Sequence, residues 1–250
     1  MRLASRIAII TGSSSGIGRG VAVAFAAEGA AVVVNYPGAA QAADASSVVA
    51  EIRQGGGKAI AVEADVASEA DCARLIGACE SSFGAADILV NNAGIANTAP
   101  VHEMLVEQWD RMMAVHVRST FLMTRGVLAG MRARRFGRII NTASQLAYTG
   151  APEFSHYTAA KGAIISFTRS VALELADSGV TINCVAPGAT HTPILAYVPP
   201  ARMEAIRRAI PIGRLAEIGD IVPSYVFLAS EDGRHYQGQC ISPNGGDVFL

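Results

Sequence analysis

Short apolar runs alternate along the whole chain with longer stretches in which apolar residues recur at a helical period. Runs of this length that are rich in Val and Ile are typical of strands buried on both faces of a parallel sheet. Helical patterns between them place helices on both faces of that sheet. The sequence therefore predicts a doubly wound α/β fold with seven parallel strands, at about residues 7–11, 31–35, 59–63, 88–91, 138–142, 181–186 and 239–242.

No linker, charge run or repeat interrupts this alternation, so residues 1–250 are predicted to form a single domain. Residues 68–71, Ser-Glu-Ala-Asp, resemble a capping box that opens the third helix. Gly29 and Gly84 stand where helices should end. Ligands bind beyond the carboxyl ends of parallel strands, at the switch in strand order, so we expect a ligand crevice at that edge of the sheet.

Residues 189–214 interrupt the alternation of strand and helix patterns, because they contain four prolines around a short amphipathic stretch at 203–210. A connection this long in a compact domain is usually a functional lid or a mobile segment. The alternative is a helical hairpin that only packs against the core. We expect a substrate lid.

Composition narrows the functional classes. The chain is 51% hydrophobic and carries a net charge of −1, so it has no electrostatic footprint for nucleic acid or an anionic membrane. Its four Cys form no zinc or disulfide pattern, and no metal site is expected. No apolar run approaches the roughly 20 residues of a membrane span, and no signal peptide is indicated, so a cytoplasmic location is predicted.

Tyr157 and Lys161 are the strongest chemical signal. They stand four residues apart in an Ala-rich helical stretch, so both side chains should project from one helix face. An ammonium beside a phenol favours the phenolate, and lowering the phenol pKa by about three units requires roughly 4 kcal/mol. A chance Tyr at this distance from one of the two Lys is the competing explanation.

A glycine-rich segment, Thr-Gly-Ser-Ser-Ser-Gly-Ile-Gly at residues 11–18, lies between the first predicted strand and the first predicted helix. Gly12 permits the tight turn, Gly16 lets backbone approach a pyrophosphate, and Gly18 lets the helix pack on the sheet. The helix N-terminus would hold the phosphates. The spacing departs from the general dinucleotide fingerprint, so a plain Gly/Ser-rich loop is the alternative.

The remaining motifs fall in order and resemble the short-chain dehydrogenase/reductase family over essentially the whole chain. Asn-Asn-Ala-Gly at residues 91–94 follows the fourth strand, Ser144 closes the fifth, and Pro187-Gly188 with Thr192 matches the family's nicotinamide-side loop. Residues 34–36 and 243–246 resemble the branch of 3-oxoacyl-carrier-protein reductases and bacterial glucose dehydrogenases. The resemblance implies a single-domain Rossmann fold that binds NAD or NADP and acts on an alcohol or ketone.

The resemblance also implies roles. Tyr157 would exchange a proton with the substrate oxygen, Lys161 would lower its pKa and hold the cofactor ribose, and Ser144 would hydrogen-bond the substrate oxygen. Both Tyr157 and Lys161 would thus contact the cofactor. The other implied cofactor contacts are Gly12, Ser14, Ser15, Gly16, Ile17, Gly18, Asn35, Tyr36, Asp65, Val66, Asn92, Ala93, Gly94, Pro187, Gly188 and Thr192.

His116 stands at the family's fourth catalytic position, where Asn is usual. Either His116 preserves a proton path to Lys161, or backbone holds the water and His116 is a satisfied buried histidine. The second interpretation is favoured, because nothing else in the sequence marks this helical His.

Cofactor choice depends on the end of the second strand. An NAD enzyme usually places an acid about 20 residues after the glycines, whereas an NADP enzyme offers Arg nearby. Residues 35–41 contain neither, and Ser15 stands where NADP-using relatives often carry a basic residue. Because no acid would repel a 2′-phosphate, and because the Asn-Tyr pair resembles NADP-using relatives, NADP is favoured over NAD.

The expected function is hydride transfer between the nicotinamide and a secondary alcohol or ketone, with a 3-oxoacyl thioester, a sugar or a cyclic alcohol as the candidate substrate. The alternative is a catalytically weak, dinucleotide-sensing binding protein. Helical residues 109–132 and 157–175 carry small and apolar residues on more than one face, which predicts packing against a partner. Relatives form tetramers through these helices, so a homotetramer is expected.

Overall fold

The computed structural model describes residues 1–195, 198 and 200–249. Seven parallel strands form one sheet in the order β3-β2-β1-β4-β5-β6-β7. Every predicted strand is confirmed, with its ends within one residue of those observed. The strands are β1 (Ile7–Ile10), β2 (Ala31–Tyr36), β3 (Lys58–Glu63), β4 (Ile88–Asn91), β5 (Gly137–Thr142), β6 (Val180–Val185) and β7 (Cys240–Ile241).

Helices cover both faces of the sheet. A π-helical turn, Ala114–Arg118, joins α4 to α5, and short 3₁₀ turns lie at Ala39–Gln41, Pro193–Leu195 and Glu231–Gly233. The α-helices are α1 (Gly16–Ala27), α2 (Ala42–Gln54), α3 (Glu69–Ser82), α4 (Val106–Met113), α5 (Ser119–Arg134), α6 (Leu146–Thr149), α7 (Ser155–Glu174), α8 (Pro200–Ala209) and α9 (Ile218–Ala229).

The two-residue period of the strands divides the core between the faces. Ile10 and its neighbours pack with Phe25 of α1 and Tyr225 of α9. Ile9 lies on the opposite face, in the cluster that contains Leu75 of α3 and Met123 of α5. All six side chains are fully buried. The sheet is thus rigidly held from both sides, and its carboxyl edge supplies fixed positions for the loops that follow.

Helix ends agree with the sequence in part. Ser68 caps α3, because its hydroxyl accepts the Asp71 N–H at 3.3 Å. The capping box is not closed, however, since the Asp71 carboxylate accepts the Asp65 N–H at 2.9 Å instead. Gly29 and Gly84 follow helices with φ of 95° and 104°, which confirms both predicted helix ends.

Strand β1 pairs with β2 on one side and with β4 on the other, so the strand order reverses between β1 and β4. The expected crevice is therefore formed by the loops after β1 and β4. In the part of the chain that the structure describes, no helix is long and apolar enough to cross a membrane. The cytoplasmic location stays a prediction.

The predicted lid, residues 189–214, contains the Pro193–Leu195 turn and α8. Residues 196, 197 and 199 lie outside the described part. At one end Thr192 faces the glycine loop, 3.6 Å from where a Cβ on Gly16 would stand. At the other, Arg202 lies 3.5 Å from the Glu153 carboxylate, just before α7. The described parts of this segment thus contact the start of α1 and the loop before α7.

Candidate active site

The loops after β1 and β4 are locked together by side-chain hydrogen bonds. The Thr11 hydroxyl accepts the N–H groups of Asn92 and Ala93 at 2.9 and 3.0 Å. The Asn92 amide donates to the carbonyl oxygens of Thr11 and Gly12, both at 3.0 Å. These bonds fix the glycine loop against the Asn-Ala-Gly motif, so the two motifs share one crevice as predicted.

The glycines of the loop are required by its shape. Gly12 has φ +60°, and a Cβ there would stand 2.7 Å from the Ala93 Cα. A Cβ on Gly18 would stand 2.3 Å from the Gly12 carbonyl oxygen and 2.5 Å from the Asn92 amide nitrogen. Contacts this short are sterically forbidden. Gly18 therefore lets α1 approach both the Gly12 carbonyl and the Asn92 side chain, in addition to packing on the sheet. Gly16 needs glycine for its φ of +56°.

The start of α1 fits a pyrophosphate. Ser15 has extended backbone, and its side chain makes no capping hydrogen bond within the described chain. The first N–H groups of the helix therefore point into the crevice with the positive end of the helix dipole, the usual arrangement for binding phosphate. Ser14 is buried in the loop, Ser15 is exposed, and Ile17 is half-buried at the first turn.

Asn35, near the end of β2, has its side-chain amide bonded within the protein. Its side chain is 1% exposed, and its amide oxygen accepts the Gly12 N–H at 3.0 Å while its amide nitrogen donates to the Ala64 carbonyl oxygen at 3.0 Å. The polar atoms are thus engaged within the protein, and Asn35 supports the glycine loop rather than offering its amide to a ribose. Tyr36, half-buried at the end of β2, remains available at this edge.

Asp65 and Val66 follow β3, next to the same edge. The Asp65 carboxylate accepts the Ala67 N–H at 3.0 Å and pairs with Arg111 of α4, also at 3.0 Å. Val66 is buried. Asp65 thereby anchors α4 beside the crevice, a contact that the sequence did not predict.

The catalytic candidates converge at the carboxyl end of β5. Ser144 follows the strand, and Tyr157 and Lys161 lie one turn apart on α7, as the spacing predicted. The Lys161 ammonium nitrogen donates to the Thr142 carbonyl oxygen at 2.6 Å and lies 5.6 Å from the centroid of the Tyr157 ring. The Ser144 hydroxyl adjoins the Tyr157 hydroxyl and accepts the Leu146 N–H at 3.2 Å.

Burial shifts the protonation equilibria of Tyr157 and Lys161. Burial raises the pKa of Tyr157 above its ordinary value, and the neighbouring Ser144 hydroxyl opposes that rise. Burial also lowers the pKa of Lys161, to about 7. Desolvation acts on both groups and favours the neutral phenol and the neutral amine. That a charged Lys161 lowers the pKa of Tyr157 stays a prediction.

His116 lies in the π-helical turn, a local widening that is common at functional sites. Its Nε2 atom lies 3.1 Å from the Ile95 amide nitrogen and 2.9 Å from the Ile95 carbonyl oxygen, and one tautomer can satisfy only one of the two. Its buried Nδ1 atom has no partner among the described residues. The ring meets that of Tyr157 edge to face, with centroids 5.6 Å apart.

Burial and the Lys161 charge lower the pKa of His116 to about 3. The imidazole is therefore neutral at physiological pH. Gly94 makes room for it, because a Cβ at that position would stand 2.6 Å from the imidazole Cε1 atom. These contacts describe a neutral histidine that ties the loop after β4 to the start of α5.

The loop after β6 closes the other side of the crevice. The Gly188 N–H donates to the Pro243 carbonyl oxygen at 3.1 Å, and the Pro187 carbonyl oxygen accepts the Gln145 N–H at 3.1 Å. Thr192 approaches the glycine loop, as described above. The predicted nicotinamide-side residues Pro187, Gly188 and Thr192 therefore lie between Ser144 and the start of α1.

Sequence reasoning missed three contributors to the site. The Thr142 carbonyl oxygen receives the Lys161 ammonium, and Gln145 makes a side-chain bond to Asp247 near the end of the chain. Thr142 is the last residue of β5, so its place at the carboxyl edge of the sheet was predictable, but its contact with Lys161 was not. Gln145 is marked only by its place after Ser144, and nothing in the sequence links it to Asp247.

Comparisons with known proteins agree with this geometry. A family model described as enoyl-(acyl carrier protein) reductase matches residues 12–247. The 3-oxoacyl-[acyl-carrier-protein] reductase of Synechocystis sp. is 40% identical over 249 residues, which cover 99% of each chain. The acetoacetyl-CoA reductase of Rhizobium meliloti is 38% identical and covers 98% of this chain and 99% of its own.

A solved structure, that of a dehydrogenase/reductase from Sinorhizobium meliloti 1021, superposes with a TM-score of 0.91 at 36% identity. The match covers 99% of this chain and 96% of that one. A match that covers 99% of this chain extends over the whole sheet and the loops around the crevice.

Proposed function

Because the chain belongs to the short-chain dehydrogenase/reductase family, we propose that it reduces the ketone of a 3-oxoacyl thioester to the corresponding alcohol, and catalyses the reverse reaction. Membership makes it an oxidoreductase of alcohol and keto groups. A bound nicotinamide dinucleotide would supply the hydride. The glycine loop and the start of α1 would hold its pyrophosphate, and Asn92, Ala93 and Gly94 would line its path toward Ser144.

The observation that carries this proposal is the convergence of Ser144, Tyr157 and Lys161 beside the crevice. Hydride addition to a carbonyl carbon leaves negative charge on the oxygen, which must receive a proton. Tyr157 donates that proton. Its raised pKa keeps the phenol protonated at neutral pH, so the donor is ready before the substrate arrives.

Ser144 and Lys161 support this transfer. Ser144 donates a hydrogen bond to the developing oxyanion, and its position next to the Tyr157 hydroxyl sets both groups on one oxygen atom. Lys161 has a pKa of about 7, so an anion forming at Tyr157 will favour its charged form. The ammonium then stabilises the phenolate that remains after proton transfer.

His116 has a structural role in this account. It is neutral, bonded to Ile95 and enclosed, so it holds the loop after β4 without gaining or losing a proton at physiological pH. The proton path through His116 is the less favoured alternative, since the neutral imidazole is already engaged by Ile95.

Two features support a 3-oxoacyl thioester over a sugar or a cyclic alcohol. The similar proteins named above act, by their names, on 3-oxoacyl and acetoacetyl thioesters. In its described residues, the segment proposed as the lid, 189–214, exposes Ile194 and Ile212, and its carboxylate Glu204 is paired with Arg207 and Arg208 rather than free to bind sugar hydroxyls. The lid closes over the substrate end of the crevice.

NADP is the proposed cofactor. Residues 35–41 hold no carboxylate that would repel a 2′-phosphate, and Tyr36 stands at the end of β2 where such a carboxylate would lie.

A homotetramer is proposed because α4 and α5 leave Val106, Trp109 and Phe121 partly exposed. Static light scattering at micromolar concentration tests this; a monomer would reject it.

The function is tested by assaying acetoacetyl-CoA, glucose and cyclohexanol with NADP(H) and NAD(H), following the nicotinamide absorbance. The proposal expects acetoacetyl-CoA with NADPH to give the highest kcat/KM. Faster turnover of glucose or cyclohexanol would reject the substrate class while leaving the oxidoreductase chemistry intact. Dinucleotide binding without turnover of any carbonyl would favour a sensor.

A further inference from the structure

A hydrogen bond joins the residue after Ser144 to the end of the chain. The Gln145 amide nitrogen donates to the Asp247 carboxylate at 2.5 Å, across 102 residues of sequence. Gln145 is 6% exposed, and Asp247 is half-buried. A hydrogen bond to a carboxylate is short and strong, and this one is shielded from water on the glutamine side.

Gln145 is also bonded to the loop that closes the crevice. Its backbone N–H donates to the Pro187 carbonyl oxygen at 3.1 Å. Its amide oxygen stands 3.0 Å from where a Cβ on Gly188 would lie. One residue therefore contacts three segments of the site: the Ser144 loop, the Pro187-Gly188 loop and the C-terminal segment.

The C-terminal segment is itself rigid at this point. Asn244 is buried, and its amide donates to the Ser242 hydroxyl at 2.9 Å and to the Val248 carbonyl oxygen at 2.8 Å. The same side chain accepts the Gly246 N–H at 2.8 Å. Asp247 thus stands on a fixed turn, and its carboxylate is a fixed anchor for Gln145.

The buried amide has a cost that packing alone does not explain. The amide oxygen of Gln145 has no hydrogen-bond partner in the described chain, although it is shielded from solvent. An apolar side chain of similar volume would avoid that penalty. The orientation gained through Asp247 is the property that a hydrocarbon could not supply.

We infer that Asp247, acting through Gln145, is a positioning residue for Ser144. This inference rests on the proposed function, in which the Ser144 hydroxyl must meet the substrate oxygen together with Tyr157. The Gln145–Asp247 bond fixes the backbone on the carboxyl side of Ser144 relative to the C-terminal segment, which is itself joined to the Pro187-Gly188 loop by the bond from the Gly188 N–H to the Pro243 carbonyl oxygen. Loss of the Gln145–Asp247 bond lets Ser144 shift relative to that segment, which lowers kcat more than it changes substrate or dinucleotide binding.

Reversing the bond tests this assignment. Gln145→Glu places two carboxylates together, and we expect kcat to fall about tenfold or more, since a 1 Å misplacement can cost about 100-fold. Asp247→Asn keeps an acceptor oxygen and should stay within about threefold of wild type. In the double variant Gln145→Glu/Asp247→Asn the new amide donates to the new carboxylate, so kcat should recover. Gln145→Leu should lose activity, and adding Asp247→Asn should not restore it.

The exposed substitutions Gln54→Leu and Asp232→Asn are the matched controls, and both should match wild type. KM and the dinucleotide Kd should stay within about twofold in every variant, and melting temperatures show which variants are folded. Recovery of kcat in the double variant supports the inference. Equal kcat in wild type and Gln145→Leu overturns it, as does a double variant no better than Gln145→Glu.

The two proposals fail differently. A wild type that reduces some other carbonyl but no 3-oxoacyl thioester rejects the proposed substrate. The Gln145 and Asp247 variants are then compared using that other carbonyl as substrate. A wild type that turns over no carbonyl rejects the proposed function and this inference together. A fully active Gln145→Leu variant rejects the inference alone.

Discussion

Replacing Lys161 by Met should change how the stability of the protein depends on pH. Lys161 is enclosed at 4% exposure, and burial lowers its pKa from 10.5 to about 7. In the unfolded chain the same amine keeps its ordinary pKa near 10.4. Between pH 7 and pH 10 the unfolded chain therefore binds a proton that the folded chain releases, so stability rises with pH through this window.

The magnitude follows from the two pKa values. A fall from 10.5 to about 7 corresponds to about 5 kcal/mol in the free energy of unfolding, at about 1.4 kcal/mol per pKa unit. Lys161→Met removes this cost but leaves the Thr142 carbonyl oxygen without its donor, a loss of about 1–3 kcal/mol. The variant should be about 2–4 kcal/mol more stable than wild type at pH 6 and about 0–2 kcal/mol less stable at pH 10, where the unfolded amine is still partly protonated.

Urea unfolding at five pH values between 6 and 10 measures this difference. The matched control is Lys58→Met, since Lys58 is the other lysine of the chain and is exposed on β3. Its difference from wild type should be flat. A Lys161→Met difference that is equally flat would refute the reasoning, because it would mean that folding does not change the pKa of Lys161.

Three further changes test other parts of the site. Wild type should lose about 3 kcal/mol of unfolding free energy between pH 6.5 and pH 4 through His116, because the folded imidazole has a pKa of about 3 and only the unfolded chain takes up the proton. His116→Asn should abolish this loss in urea unfolding. The exposed variant His102→Asn should show the same dependence of unfolding free energy on pH as wild type. Gly18→Ala should abolish dinucleotide binding in a fluorescence titration, because its Cβ would stand 2.3 Å from a loop carbonyl oxygen, whereas Gly77→Ala, with no described atom within 4 Å of the added Cβ, should bind normally. Tyr36→Asp should swing the kcat/KM ratio from NADP toward NAD, because a carboxylate repels a 2′-phosphate and accepts from ribose hydroxyls; a wild type that already prefers NAD, with no further change in the mutant, would reject the NADP proposal.

The sheet was predictable because its strands are buried on both faces and so read as continuous apolar runs. The motif positions followed, since in a parallel sheet the residue after each strand must lie at the carboxyl edge. Gly12, Asn92 and Ser144 each come directly after or within two residues of a strand. Their meeting in space is a consequence of topology, which the alternation of elements already indicates.

Side-chain roles were less predictable. Asn35 stands at a position where the sequence predicts a ribose contact, yet its side-chain amide is hydrogen-bonded to Gly12 and Ala64. Whether an amide faces a ligand or the protein depends on hydrogen-bond partners contributed by other strands, and no local pattern encodes them. The same holds for Gln145 and Asp247, whose contact spans 102 residues.

The effect of burial on the two pKa values was not predictable for a related reason. The spacing of Tyr157 and Lys161 gives their proximity, but desolvation depends on everything packed around them. Burial raises the pKa of one and lowers that of the other. The π-helical turn around His116 likewise has no signature in its sequence, since a single widened turn depends on tertiary packing.

The most direct test of the central claim is Tyr157→Phe, which removes one hydroxyl from the site and leaves its shape. With acetoacetyl-CoA and NADPH, turnover should fall below about one tenth of a per cent of wild type, because the proton donor and the alignment of the oxyanion are lost together. NADPH affinity, from fluorescence titration, should stay within about twofold. Tyr236→Phe, which removes a hydroxyl from a partly exposed tyrosine, should remain fully active. A Tyr157→Phe enzyme that retains most of its turnover would contradict the account.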